Sequence, residues 1–403
     1  MASPTVFNRL FASVAAAHFA DQIALAALPL TAVLALNAGP GLVGTLVATQ
    51  GAAWLLVSLP AGVIVDRVSR WTLIMSAQAL AGLAFLAAGW FAGQSSAALF
   101  GLAAAVGASG AVVVLLSAMA LVPGLASREK LPSVNARLEL ARAVMSLIAP
   151  VAAGFLADRG APAAAYGIAA GASLLGVAAV WNLRDVPRAT VQKPSIFSAI
   201  REGASFVGRH DLLRGIVLCA VFWNFAYFAL IAAAVPFLLQ RVGLDARMVG
   251  LAQSGGGVGL IVGALSAGAI LRWAEPRTIL VAGPAMSVLA AFLLFTAPVV
   301  GGMVSAFLAF FLIGFGPMLW LICQTSIRQL VTPAELLGRV AATIQVAIYG
   351  VRPLGALAGG WIASLASLEA ALLLVLVSFG LSLAVPLLSA LGRLRALPVA
   401  QAG

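Results

Sequence analysis

At 403 residues, 63% hydrophobic and only 9% charged, with a mean hydropathy of +1.11, the chain carries far less charge than a water-soluble domain, which runs about 25% charged. So few ionisable groups cannot cover a soluble fold of this length, and disorder needs the opposite balance of low hydrophobicity and high charge, which leaves an integral membrane protein. The formal net charge of +11 would point to nucleic acid in a soluble chain; in a membrane chain its source is lysine and arginine gathered in the loops of one side.

A spanning helix needs about 20 mostly apolar residues. Apolar runs, split at charged residues and at Gly, Pro and Asn breaks, predict twelve all-α spans: 10–36, 41–65, 72–92, 97–122, 137–157, 163–183, 212–239, 247–271, 278–296, 301–326, 338–364 and 368–391. The first run is too long for the apolar core of a signal peptide and carries Asp21 in its middle, so it reads as a retained helix. Residues 1–184 form one six-helix half and 212–403 another, joined by a polar linker, 185–211. Within the linker Ile196, Ile200 and Val207 recur at helical spacing, with Ser198, Arg201, Glu202 and Arg209 elsewhere. That pattern predicts a short amphipathic helix, either solvated or lying on the membrane surface.

Only Arg159, Arg241 and Arg247 fall in the loops of one side, and Arg352 falls inside a span. The other 19 of the 23 basic residues collect in the loops and helix ends of the opposite side. Basic loops stay in the cytoplasm, so both termini are expected there.

The chain also repeats itself. An ungapped offset of 206 pairs Val43-Gly44 with Val249-Gly250, Ala61-Gly62 with Ala267-Gly268, and Thr72 with Thr278. It also pairs Glu129 with Glu335, Val134 with Val340 and Gly154 with Gly360. Two duplicated six-helix halves, each with a nested inverted repeat, are a known transporter plan.

The loop after the second span carries Gly62, Asp66, Arg67 and Arg70. It resembles the signature G-x-x-x-D-R/K-x-G-R-R/K of the major facilitator superfamily, with Ser69 in place of the second glycine and Trp71 in place of the last basic residue. The resemblance implies a loop that latches the two halves on the cytoplasmic side and releases as the protein changes state. The matching segment of the second half, Gly268 to Arg277, lacks the aspartate. Further stretches (Leu121-Val122-Pro123, Arg128 to Leu131, Asn135-Ala136, Arg339-Val340 and Arg352 to Gly355) resemble the branch that includes enterobactin exporters and macrolide-efflux proteins. The fifth span resembles the antiporter pattern G-P-x-x-G-G, keeping Pro150 and Gly154 and replacing the other two glycines with Ala149 and Ala153. A proline with small neighbours is also ordinary membrane-helix packing.

Charged residues within spans are the most telling. A carboxylate in mid-membrane costs about 2.5–3.5 kcal/mol on insertion scales, so Asp21 is expected to face a cavity or a partner. His18, Asp21 and Gln22 share one helical face through i, i+3 and i+4 spacing. The offset maps His18 to Asn224 and Asp21 to Tyr227. Asp21 is therefore a candidate for proton coupling or substrate contact, the alternative being a fixed structural carboxylate. Gln345, Tyr349 and Arg352 form a second stripe, in which Arg352 is a counter-charge for Asp21, a site for a substrate anion, or a clamp near the cytoplasmic end of its helix. Gln50 with Trp54, Trp223 with Tyr227, and Trp320 with Gln324 complete the candidate cavity groups, each pair at i, i+4.

Cys219 and Cys323 lie in apolar runs, and His18 and His210 are far apart, so neither a disulfide nor a metal site is expected. No G-x-x-x-x-G-K-S/T loop is present, so ATP is not the direct energy source, and no cofactor is expected. The expectation is a non-enzymatic secondary transporter in the bacterial inner membrane. It binds a small-molecule substrate and a proton, sits in the lipid bilayer as a monomer, and has no nucleic-acid partner. Export of hydrophobic or amphipathic compounds is favoured. An importer of the same fold is the rival, and a channel or membrane-embedded enzyme the reading from another class.

Overall fold

A computed structural model describes residues 4–125, 131–183, 196–333 and 335–398. Side chains of Gly62, Asp66 and Arg67, and most of the segment 185–199, lie outside the described residues. Among the described residues the chain is helical: α1 (Pro4–Leu34), α2 (Pro40–Arg67), α3 (Arg70–Gly93), α4 (Ala97–Leu125), α5 (Leu131–Asp158), α6 (Ala164–Val180), α7 (Ile196–Arg209), α8 (Asp211–Gln240), α9 (Ala246–Trp273), α10 (Pro276–Thr296), α11 (Met303–Val331), α12 (Leu337–Leu365) and α13 (Leu368–Leu388). Eleven of these are long and apolar enough to cross a bilayer. The twelfth, α6, is an apolar helix of 17 residues, at the short end of the spanning range of about 17–25.

The 206-residue offset holds in three dimensions as well as in sequence. Shifted by it, the bounds of α2 land on those of α9, and the bounds of α4 land on those of α11. Packing repeats too: α1 lies against α5 and α6, and α3 against α4 and α6, as α8 lies against α12 and α13, and α10 against α11 and α13. The chain divides into two compact units, one of residues 1–189 and 244–254, the other of 190–243 and 255–403.

Within the first unit, Leu10, Val14, Trp71, Ile74 and Val114 form a buried core. Trp71 occupies the position of the last basic residue in the loop signature, and its burial accounts for that departure. Ser69 accounts for the other: it is the N-cap of α3, its hydroxyl accepting from the Thr72 amide at 3.2 Å, so a capping side chain stands where the signature has glycine. Arg9 closes the far end of α6, donating from Nε to the Ala179 carbonyl at 2.7 Å and from Nη2 to the Trp181 carbonyl. A cation there meets the helix's unpaired carbonyls.

The linker helix α7 has a more specific place than either sequence reading allowed. It docks on the start of α12 within the second unit. Gly203 lies against the Arg339 backbone, the Thr343 hydroxyl donates to the Ile200 carbonyl at 3.1 Å, Glu202 pairs with Arg339, and Val207 joins the buried core.

The first turns of α9 group with the first unit. There Gly154 of α5 meets Gly250: a Cβ built on Gly154 would lie 2.8 Å from the Gly250 Cα and 2.6 Å from the Ala246 carbonyl, and one on Gly250 would strike the Pro150 carbonyl. Small residues let membrane helices approach this closely. Gly250→Val is expected to destabilise the protein by about 1–3 kcal/mol through overpacking, read as an earlier thermal unfolding midpoint in detergent. Gly171→Val, at a position with open space, should leave that midpoint within error.

Candidate functional site

Polar side chains inside an apolar helix bundle must find partners, because hydrocarbon supplies none. In the first unit they gather midway along α1. His18 and Asp21 are buried, and the Gln22 amide donates to Asp21 Oδ2 at 3.2 Å. Gln22 Oε1 in turn accepts from the Ser146 hydroxyl of α5 at 3.1 Å, a hydroxyl shared with the Arg142 carbonyl at 2.9 Å. Arg142 pairs with Glu139 at 2.8 Å, and this pair is within electrostatic reach of His18.

The second unit builds its counterpart midway along α8 and α12. Arg352 Nε donates to Asn224 Oδ1 at 3.0 Å, and Asn224 Nδ2 is engaged by the Ala220 carbonyl at 2.9 Å. The guanidinium lies 4.6 Å from the Tyr349 ring centre and 5.2 Å from that of Phe228, a geometry in which ring faces stabilise a cation. Beside it Trp223 stacks on Tyr227 at 5.0 Å and donates from Nε1 to the Ser287 hydroxyl at 2.9 Å. Arg352 is thus at mid-helix, not near the end of α12 as one sequence reading had it.

The two clusters occupy equivalent places. Ser146 and Arg352 are 206 residues apart, as are Gln22 and Phe228. The same pair of positions on the first and fifth helix of each half therefore makes a hydroxyl–amide hydrogen bond in one unit and a cation–ring contact in the other. Sequence reasoning missed Ser146 and Phe228. The offset was the signal: it had paired other positions of α5 and α12, but not Ser146 with Arg352, nor Gln22 with Phe228. It also missed Gln78, a buried amide in apolar α3 that donates to the Ser13 carbonyl at 2.9 Å.

Other candidates are placed as follows. Tyr349 joins Arg352, whereas Gln345 is exposed. Gln50 and Gln324 are buried and Trp320 half-buried. Gln50 Oε1, Trp320 Nε1 and Gln324 Oε1 are buried atoms without a hydrogen-bond partner among the described residues, although Gln324 Nε2 donates to Thr325 at 3.0 Å. Pro150 and Gly154 are buried in α5, at its approach to α9. Of the loop signature only Arg70 is described to its tip: Nη1 donates to the Ala120 carbonyl of α4 at 2.5 Å. No cluster of three or more His, Cys, Asp or Glu suited to a metal occurs among the described residues.

A twice-repeated bundle of membrane helices, with polar groups buried midway along α1 and α8 and a half-buried arginine midway along α12, defines a multi-pass membrane transporter. The chain belongs to the Major Facilitator Superfamily, whose sequence model matches residues 10–356, and it is a transporter rather than an enzyme. It is 26% identical over 303 residues to the enterobactin exporter EntS of Salmonella typhimurium, covering 74% of this chain and 71% of that one. It is 25% identical to EntS of Escherichia coli O81, with the same coverage. Among solved structures it resembles a bacterial homologue of the human lysosomal transporter Spinster, with a TM-score of 0.75 and 14% identity over 96% of this chain and 97% of the other. It also resembles the nucleoside transporter NupG, with a TM-score of 0.72 and 13% identity over 95% and 98%.

Removing Asn224 takes away an acceptor of Arg352 inside the bundle. Asn224→Ala is expected to lower stability by about 1.5–3 kcal/mol, the range for hydrogen bonds to charged groups. In Arg352→Met the same change should cost much less, so a double-mutant cycle on thermal midpoints in detergent should return a coupling of about 1 kcal/mol or more.

Proposed function

We propose that the chain is a proton-coupled exporter of hydrophobic or amphipathic small molecules, of the drug or siderophore kind, working by alternating access. It acts as a monomer in the bacterial cytoplasmic (inner) membrane with both termini in the cytoplasm. The observation that carries this reading is Asp21, a carboxylate buried midway along α1 beside the Gln22 amide. An amide donates to an ionised carboxylate and, turned over, accepts from a protonated one, so this neighbour serves both states of a proton carrier. His18, Gln22 and Ser146 complete the coupling cluster in this reading.

The substrate class follows from the groups available to hold it. Within the second unit, the stacked Trp223 and Tyr227, the Arg352 guanidinium with Tyr349 and Asn224, and the polar atoms of Trp320 and Gln324 that lack a hydrogen-bond partner among the described residues offer ring faces and a few hydrogen bonds. Such a set suits an amphipathic ligand better than a highly charged one. The curated relatives named as enterobactin exporters and the antiporter-like Pro150 and Gly154 support export. Gly62, Asp66, Arg67 and Arg70 serve as the cytoplasmic latch, and the Arg70 bond to the Ala120 carbonyl ties the loop to the end of α4.

Inverted vesicles with an acidic interior are expected to accumulate enterobactin or a lipophilic fluorescent dye, and right-side-out vesicles to lack gradient-driven accumulation. Asp21→Asn should cut pH-driven uptake at least tenfold while the protein stays folded in the membrane. Accumulation only in right-side-out vesicles would mean import, flux indifferent to the gradient would mean a channel, and full pH-driven uptake by Asp21→Asn would remove the coupling role.

A further inference from the structure

We infer that the first unit holds one phospholipid, with an acyl chain between α5 and the start of α9 and its phosphate on Arg247 and Arg159. A cleft of about 440 Å³ opens there, lined by Leu147, Ile148, Val151, Ala152, Phe155 and Leu251 together with Arg247. The walls run along α5 from Leu147 to Phe155, roughly 12 Å at a helical rise of 1.5 Å per residue. That depth covers most of one leaflet of a hydrocarbon core roughly 30 Å thick.

The charges sit at the end where a headgroup would be. Arg247 lies in the first turn of α9, and Arg159 immediately follows α5, so both mark the membrane interface, at the C-terminal end of α5 and the N-terminal end of α9. The Arg159 guanidinium rests 4.2 Å from the ring centre of Phe155, which lines the cleft. Both arginines are exposed, and among the described residues neither forms an ion pair. Arg241, the third cation of that side, is instead paired with Glu369 at 2.7 Å. Of the neighbouring acids, Asp245 caps α9 by accepting from the Met248 amide at 2.7 Å, and Asp158 is exposed at the end of α5. Two unpaired guanidiniums above an apolar slot that descends into the bilayer match a phosphodiester above an acyl chain.

The test is titration of the purified full chain with phosphatidylglycerol, followed by native mass spectrometry. One lipid per chain should be retained. The double variant Arg159→Gln/Arg247→Gln should weaken that binding at least fivefold, Ala152→Phe should fill the slot and do the same, and Arg241→Gln should leave it unchanged. Equal retention by the wild type and both cleft variants overturns the inference, as does an Arg241→Gln loss as large as that of the double variant. A second readout needs no substitution: phosphatidylglycerol with a diazirine in its acyl chain should label residues 147–155 and 247–251 of the wild-type chain, and labelling confined to other helices overturns the inference equally.

Discussion

Hydrocarbon neither donates nor accepts hydrogen bonds, and the rest of this structure follows from that constraint. Backbone groups are satisfied within helices, which is why the described chain is helical wherever it is apolar. Side chains obey the same rule at higher stakes. Several polar groups left in the spans find a partner on a neighbouring helix and tie the two helices together at that depth. Gln22 reaches Ser146, Gln78 reaches Ser13, Trp223 reaches Ser287 and Arg352 reaches Asn224. Between these polar ties, helices associate through close packing, and small residues such as Gly154 and Gly250 mark the nearest approach.

Duplication has kept the scaffold and freed the chemistry. Helix bounds and packing partners recur at the 206-residue offset, because length and apolar character are dictated by the bilayer in both halves. Side chains at equivalent positions have diverged. A hydroxyl stands at Ser146 and a guanidinium at Arg352, an amide at Gln22 and a ring at Phe228. One half thus carries a buried carboxylate amid hydrogen bonds, and the other a half-buried cation amid aromatic faces.

Part of the site was legible in the chain itself. Asp21 and Arg352 stand out because charge inside a span is costly, and the i, i+3, i+4 pattern groups His18, Asp21 and Gln22 on one side of α1. The departures in the loop signature could not be interpreted that way. Trp71 and Ser69 make sense only once the first is seen in a core and the second at a helix cap. The linker helix was equally opaque: amphipathic spacing shows that a face is covered, but the Gly203 and Glu202 contacts are needed to show that α12 covers it.

By itself the sequence determined what depends on composition and period: a membrane protein, its approximate spans, their duplication and its family. Those properties rest on the free energy of placing each residue in lipid, a sum over single residues that needs no knowledge of neighbours. Tertiary structure alone decided what depends on pairs. It placed Arg352 on Asn224 at mid-helix, docked α7 on α12, brought Gly154 against Gly250, and left an apolar cleft lined by Arg247 between α5 and the start of α9. Each of these joins residues far apart in the chain, and packing geometry, which hydropathy does not encode, selects among the partners that composition permits.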